Sequence, residues 1–286
     1  MRVITTVSAG PWAIALKPEL GGAVTGLHYR GHSVLRACDA AIDNVLDSAC
    51  FPLLPYANRI ARGRFVLEGR EVRVPLNFGS HPHALHGVGW QAQWDVVDQD
   101  PVSVLMRHEH DGGPAWPWRY RAEQRITLGD DGVDFTLSLE NLDDTAMPAG
   151  LGFHPAFPLS DHTRLRAALG AVWLADDDCL PTHRAAPDHF ADWRSRPRVR
   201  RETLVDHCHE AWERSLDITD AGMTIRMTAS AGLDWLHVFI PPNCDYFCVE
   251  PVNHMPDALN RPEEEMPMLR PGECGTVSMR IAVERL

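Results

Sequence analysis

The chain has 286 residues, is 44% hydrophobic and 23% charged, and carries a formal net charge of −12. That length suits one large all-β domain spanning 1–286 and provides enough chain for a substantial core. The acidic balance, with Lys17 the one lysine and no block of basic residues, argues against nucleic-acid and membrane-surface partners.

The first residues, MRVITTVSAGPWAIALKPEL, lack a basic region followed by a long apolar run, so no export signal is expected. No stretch approaches the roughly 18 apolar residues that a membrane-spanning helix needs. The seven cysteines include no C-x-x-C pair and are expected to be reduced thiols in a cytoplasmic protein.

Strand signals dominate in chain order. WAIALK (12–17) comes first, and RFVLEGREVRVPL (64–76) alternates on either side of Glu68-Gly69. VSVLMRHE (102–109) precedes a hairpin: RYRAEQRITL (119–128) and VDFTLSLENL (133–142) alternate polar and apolar residues around the turn GDDG (129–132). PDHFADWR (187–194) is the best helical candidate, good for a turn or two. MTIRMTAS (223–230), WLHVFIP (235–241), YFCVEPV (246–252) and VSMRIAVERL (277–286) are further strands. The expected fold class is all-β, with two large antiparallel sheets packed face to face and few or no long helices. No fixed-period repeat suggests a propeller or solenoid. A concave sheet face in such a sandwich is where polar strand residues would be held firmly enough for chemistry.

Three places invite a chemical reading. HPHALHGVGW (81–90) carries His81, His83 and His86. Imidazole is a common metal ligand, and a cupin would be all-β with an H-x-H pair, but no glutamate follows at the required distance. A hydrolase-type H-x-H-x-D-H would need aspartate where Leu85 stands, and loop histidines need no ligand at all. His108 and His110 alternate at a strand end and read as surface residues. His154 sits in the apolar stretch AGLGFHPAFPL, either as a satisfied core histidine or as a functional one. Glu250 interrupts YFCVEPV; it is either a strand-end residue facing solvent or a buried carboxylate. Burial is costly without a partner and raises the pKa toward general-base values.

Five stretches in order resemble the aldose 1-epimerase (galactose mutarotase) family: FPLLPYANRIARGRFVLEGREVRVPLN, HALHGVGW, GFHPAFPL, VDHCHEAW and VEPVNHMPDALN, together covering residues 51 to 260. The resemblance implies a β-supersandwich that binds a small aldose in a cleft on its concave sheet, with no metal and no organic cofactor. It implies an isomerase with Glu250 as general base and His154 as general acid. His86 and Arg59 would bind oxygens near the reacting end, Asp206 hydroxyls further along the ring, and Asn58 would assist beside the arginine. His83 is expected to position His86, and His81 to be incidental. The chain departs from the family pattern at Gly87-Val88 and at Pro155 after His154, which marks a shorter, divergent branch. Trp90, Trp116, Trp118 and Phe157 are able to stack on a sugar but are as readily core residues, and none is assigned to the site. A metal-dependent cupin-like enzyme, a glycoside hydrolase using Asp206 and Glu250, and a non-catalytic carbohydrate-binding protein are the competing readings. A sheet edge would permit dimerisation, so a monomer or homodimer is expected.

Overall fold

The computed structural model describes residues 5–285 apart from 40, 262 and 265. Every strand ladder among them is antiparallel, built on two eight-stranded sheets and a four-stranded one. One large sheet runs in the order Asp95–Gln99, Ser103–Asp111, Arg119–Gly129, Gly132–Asn141, Cys274–Arg285, Met223–Ala229, Ser215–Asp220 and Arg164–Ala167. The second runs Pro181–Ala185, Val172–Ala175, Val205–His209, Trp235–Ile240, Tyr246–Val252, Gly152–Phe153 and Pro52–Leu53, with Ala156–Pro158 also paired to Tyr246–Val252. Thr5–Ala9, Trp12–Lys17, Ala23–Tyr29 and His32–Ser33 form the four-stranded sheet. The all-β sandwich expected from the alternating patterns is therefore the observed fold.

Local chemistry explains the turns. Gly129 pairs with Gly132, leaving Asp130-Asp131 as a two-residue hairpin turn. Leu67 pairs with Arg70 around Glu68 and Gly69, both at positive φ (48° and 78°), as a type I′ turn requires. Along Arg119–Gly129 nearly every second residue is buried, and the inward set joins one hydrophobic cluster drawn from both large sheets. Phe135 of the first sheet meets Phe153 of the second with ring centroids 6.4 Å apart.

PDHFADWR supplies the short turn expected of it, one 3₁₀ turn at Trp193–Ser195 capped by Asp192 accepting from the Arg194 N–H, and no α-helix. A segment this short cannot recover the cost of helix nucleation without a packed face. His108 and His110 are half-buried rather than surface residues, because their rings flank Tyr120 at 5.7 and 5.1 Å. No helix among the described residues is long and apolar enough to cross a membrane.

Candidate active site

Strand register builds the floor of a cleft. His237 lies opposite Glu250 and Phe239 opposite Cys248 on the Trp235–Ile240 and Tyr246–Val252 pair. On the other side Cys208 opposes His237, and Asp206 opposes Phe239. Directly opposed and alternate residues share a sheet face. Asp206, His237, Phe239, Tyr246, Cys248 and Glu250 therefore look into one cleft of about 160 Å³, while Phe247 and Val249 point into the core.

Loops supply the remaining wall. His154 follows the short strand Gly152–Phe153; its N–H donates to the Phe51 carbonyl at 3.0 Å. Its ring stacks on Phe51 at 4.4 Å, which brings Nε2 to 3.3 Å from Glu250 Oε1. Burial pushes the His154 imidazole below its ordinary pKa, while the Glu250 charge beside it pulls the other way. Glu250 is only 2% exposed, and its Oε2 has no hydrogen-bond partner.

Asn58, Arg59 and His86 arrive as one unit. The Asn58 N–H donates to His86 Nδ1 at 3.1 Å, and the His86 N–H donates to the Asn58 carbonyl at 2.8 Å. Because Nδ1 accepts, Nε2 carries the proton of the neutral ring. Burial, followed by the charges of His154, Arg59 and His237, pushes this imidazole well below its ordinary pKa, so it stays neutral. Arg59 donates to Asn58 Oδ1 at 2.9 Å and to Asp206 Oδ2 at 3.0 Å. Asp206 Oδ1 faces His237 Nε2 at 2.6 Å. Burial alone would push the Asp206 carboxyl up. The hydrogen bond and charge of His237, with the Arg59 guanidinium, instead hold it far below the usual carboxylate range.

The stretch after Glu250 fastens this unit from behind. His254 Nε2 accepts from the Ala57 N–H at 3.0 Å, and its Nδ1 faces the Met255 carbonyl at 2.7 Å. Asp257 donates its N–H to the Arg59 carbonyl and accepts from the Ala61 N–H, both at 2.8 Å. Gly87 lets the His86 loop close against the neighbouring backbone. At φ 77° a Cβ there would stand 2.2 Å from the Leu54 carbonyl oxygen.

All six residues singled out in the sequence, Asn58, Arg59, His86, His154, Asp206 and Glu250, line this cleft. His83 is buried and accepts from the Arg62 N–H, and His81 accepts from the His83 N–H, so neither joins His86 at the cleft. Trp90, Trp116, Trp118 and Phe157 are buried in the core; the aromatic wall is Phe51, Phe78, Phe239 and Tyr246. Sequence reasoning missed His237 and Cys248. His237 interrupts the apolar strand WLHVFI as Glu250 interrupts its own, so the same signal was present for it; Cys248 is itself a small apolar residue and carried no such signal. Among the described residues, His154, Cys248 and Glu250 are the group of potential metal ligands that converges, with ligand atoms within 4.8 Å of one another.

The sequence profile of the aldose 1-epimerase family matches residues 15–282. The uncharacterised protein YphB of Escherichia coli K12 is 31% identical over 304 aligned residues, with 99% of each chain covered. Galactose mutarotase of Rattus norvegicus is 26% identical over 258 residues, covering 76% of this chain and 73% of its own. A galactose mutarotase-like protein of Clostridium acetobutylicum shares the fold, with a TM-score of 0.86 at 20% identity over 98% of this chain and 95% of that one. With a profile match across nearly its whole length, the chain belongs to the aldose 1-epimerase family.

Proposed function

We infer that the protein is an aldose 1-epimerase that interconverts α and β anomers, with Glu250 as general base and His154 as general acid. The observation that carries this reading is the 3.3 Å approach of His154 Nε2 to Glu250 Oε1 in an open cleft. Ring opening takes a proton from the anomeric hydroxyl and gives one to the ring oxygen. Both oxygens sit on the same carbon, so a base and an acid standing side by side can serve them together. The free aldehyde then rotates by half a turn, and reclosure reverses the two transfers. Each group is worth roughly 10²–10⁴-fold. Glu250 has a second task, because its charge opposes the burial that strips the proton from His154.

The other residues divide by chemistry. Neutral His86 is a donor to an oxygen that gains charge on ring opening, and Arg59 supports it from beside Asn58. Asp206 is an acceptor for a hydroxyl further round the ring. A glycoside-hydrolase reading, built on a pair of carboxyls, would leave His154 beside Glu250 without a task. The epimerase reading takes the substrate to be a small aldose, handled by one domain without nucleic-acid or membrane partners.

Polarimetry on freshly dissolved α-aldoses, across a panel of neutral and phosphorylated sugars, tests the reading. Faster decay of rotation than the spontaneous rate is expected for at least one sugar. Glu250→Gln should abolish the acceleration and His154→Ala should reduce it by about 10²-fold or more. A panel on which the protein accelerates nothing would defeat the enzyme reading, and full activity in Glu250→Gln would defeat the assignment of the base.

A further inference from the structure

Proton transfer leaves one member of the converging trio unused. Cys248 lies two residues before Glu250 on the same strand face and is 1% exposed. Its sulfur, a ring nitrogen of His154 and a Glu250 oxygen all fall within 4.8 Å of one another. Glu250 lines the cleft, and its buried Oε2, which has no hydrogen-bond partner, leaves acceptor capacity unused. Imidazole, thiolate and carboxylate are the donors of three-ligand zinc sites, whose fourth position stays open to solvent or substrate.

We propose that His154, Cys248 and Glu250 form an inhibitory site for soft divalent cations, Zn²⁺ and Cd²⁺, on the spot where the anomeric centre would sit. Ligand atoms around a tetrahedral zinc ion lie roughly 3.5 Å apart, given Zn–N of about 2.0 Å and Zn–S of about 2.3 Å. The His154–Glu250 edge already stands at 3.3 Å, so the closure required falls on the cysteine side. On binding, the thiol loses its proton to solvent, as does the His154 imidazole where it is protonated, and no oxidation occurs. One thiolate and one carboxylate then neutralise the ion, with His154 neutral. The Arg36 guanidinium, held over the Tyr246 ring at 4.2 Å, lies close enough to act on both Cys248 and His154. It opposes a cation here and keeps the site weaker than a dedicated structural zinc site. Hard ions such as Mg²⁺ prefer all-oxygen shells and should not compete. The inhibition half of this proposal rests on the acid–base reading above; the binding half does not.

Titration of the metal-free full chain with Cd²⁺ alone, followed by the ultraviolet thiolate-to-cadmium charge-transfer band, tests it. The band should saturate at one equivalent, persist in Cys179→Ser and Cys274→Ser, and vanish in Cys248→Ser. Glu250→Gln and His154→Ala should each weaken Cd²⁺ binding by about 100-fold, at least the loss seen when second-shell partners of a metal are removed. These two variants read the same site should Cys248→Ser fail to fold. A band that survives Cys248→Ser, or Cd²⁺ affinity unchanged in Glu250→Gln, would overturn the proposal. In the mutarotation assay Cd²⁺ should raise KM and leave kcat unchanged; activity that saturating Cd²⁺ does not touch would overturn the inhibitory role. A chain that binds Cd²⁺ through these residues yet accelerates no aldose would uphold the site and sink the catalytic reading instead.

Discussion

Lowering the pH from 7 to 4 should loosen the anchor behind the cleft through His254. Both nitrogens of this buried ring are committed: Nε2 accepts from the Ala57 N–H, and Nδ1 faces the Met255 carbonyl. A second proton would have to displace the Ala57 bond and sit without water. Burial accordingly pushes the imidazole down to about 4, against an ordinary 6.5. Between these values the unfolded chain binds a proton that the folded chain refuses. Stability therefore falls as pH drops from about 6.5 to about 4, and this contribution changes no further below that. One such proton changes stability by about 1.4 kcal/mol per pH unit, or roughly 3 kcal/mol across the window. That is a large share of the 5–15 kcal/mol typical of a whole domain. Buried His209, also pushed down to about 4 by burial, adds in the same direction. Urea unfolding at pH 7, 5.5 and 4 would be compared between the protein and His254→Gln, whose amide can accept from Ala57 without titrating. The variant should lose stability less steeply, by about one proton's worth of slope. Equal slopes, or a His254 NMR titration centred near 6.5, would refute the argument.

Asp206→Asn removes the carboxylate that faces both Arg59 and His237 in a site where the arginine side chain is 12% exposed. Stranding that guanidinium should cost about 3 kcal/mol in chemical denaturation and raise KM more than it lowers kcat; an unmoved midpoint would count against the network. Gly87→Ala puts a Cβ 2.2 Å from the Leu54 carbonyl oxygen in a left-handed backbone conformation, so thermal unfolding should show a loss of about 2 kcal/mol or more. A variant as stable as the parent would mean the two loops can separate at no cost. Asp257→Ala, by removing the acceptor for the Ala61 N–H, should weaken sugar binding without a direct sugar contact; a KM identical to the parent would exclude that role.

Much of the architecture was legible because alternation is a local signal. WAIALK, YFCVEPV and the hairpin on GDDG coincide with observed strands to within a residue or two, since period-two burial and turn chemistry are written in consecutive residues. Short strands such as Gly152–Phe153 and Pro52–Leu53 were not, because two residues carry no period. Glu250 stood out by the same logic, as a charge in an apolar strand. The six site residues could be assembled only through likeness to a family, because their chain positions run from 58 to 250 and no spacing rule joins them.

The sequence by itself determined that this chain is a β-sandwich and that Glu250 and His154 sit in apolar surroundings, since composition and periodicity depend only on neighbours along the chain. Tertiary structure alone decided that Glu250 faces His237 across a ladder, that Cys248 converges with His154 and Glu250, and that His83 turns away from the cleft while His86 turns in. It also decided that His254 fastens the Asn58–Arg59 unit. The physical reason is that register and loop closure pair residues up to about 200 positions apart, and those pairings are selected by the packing of the whole core rather than by any one segment.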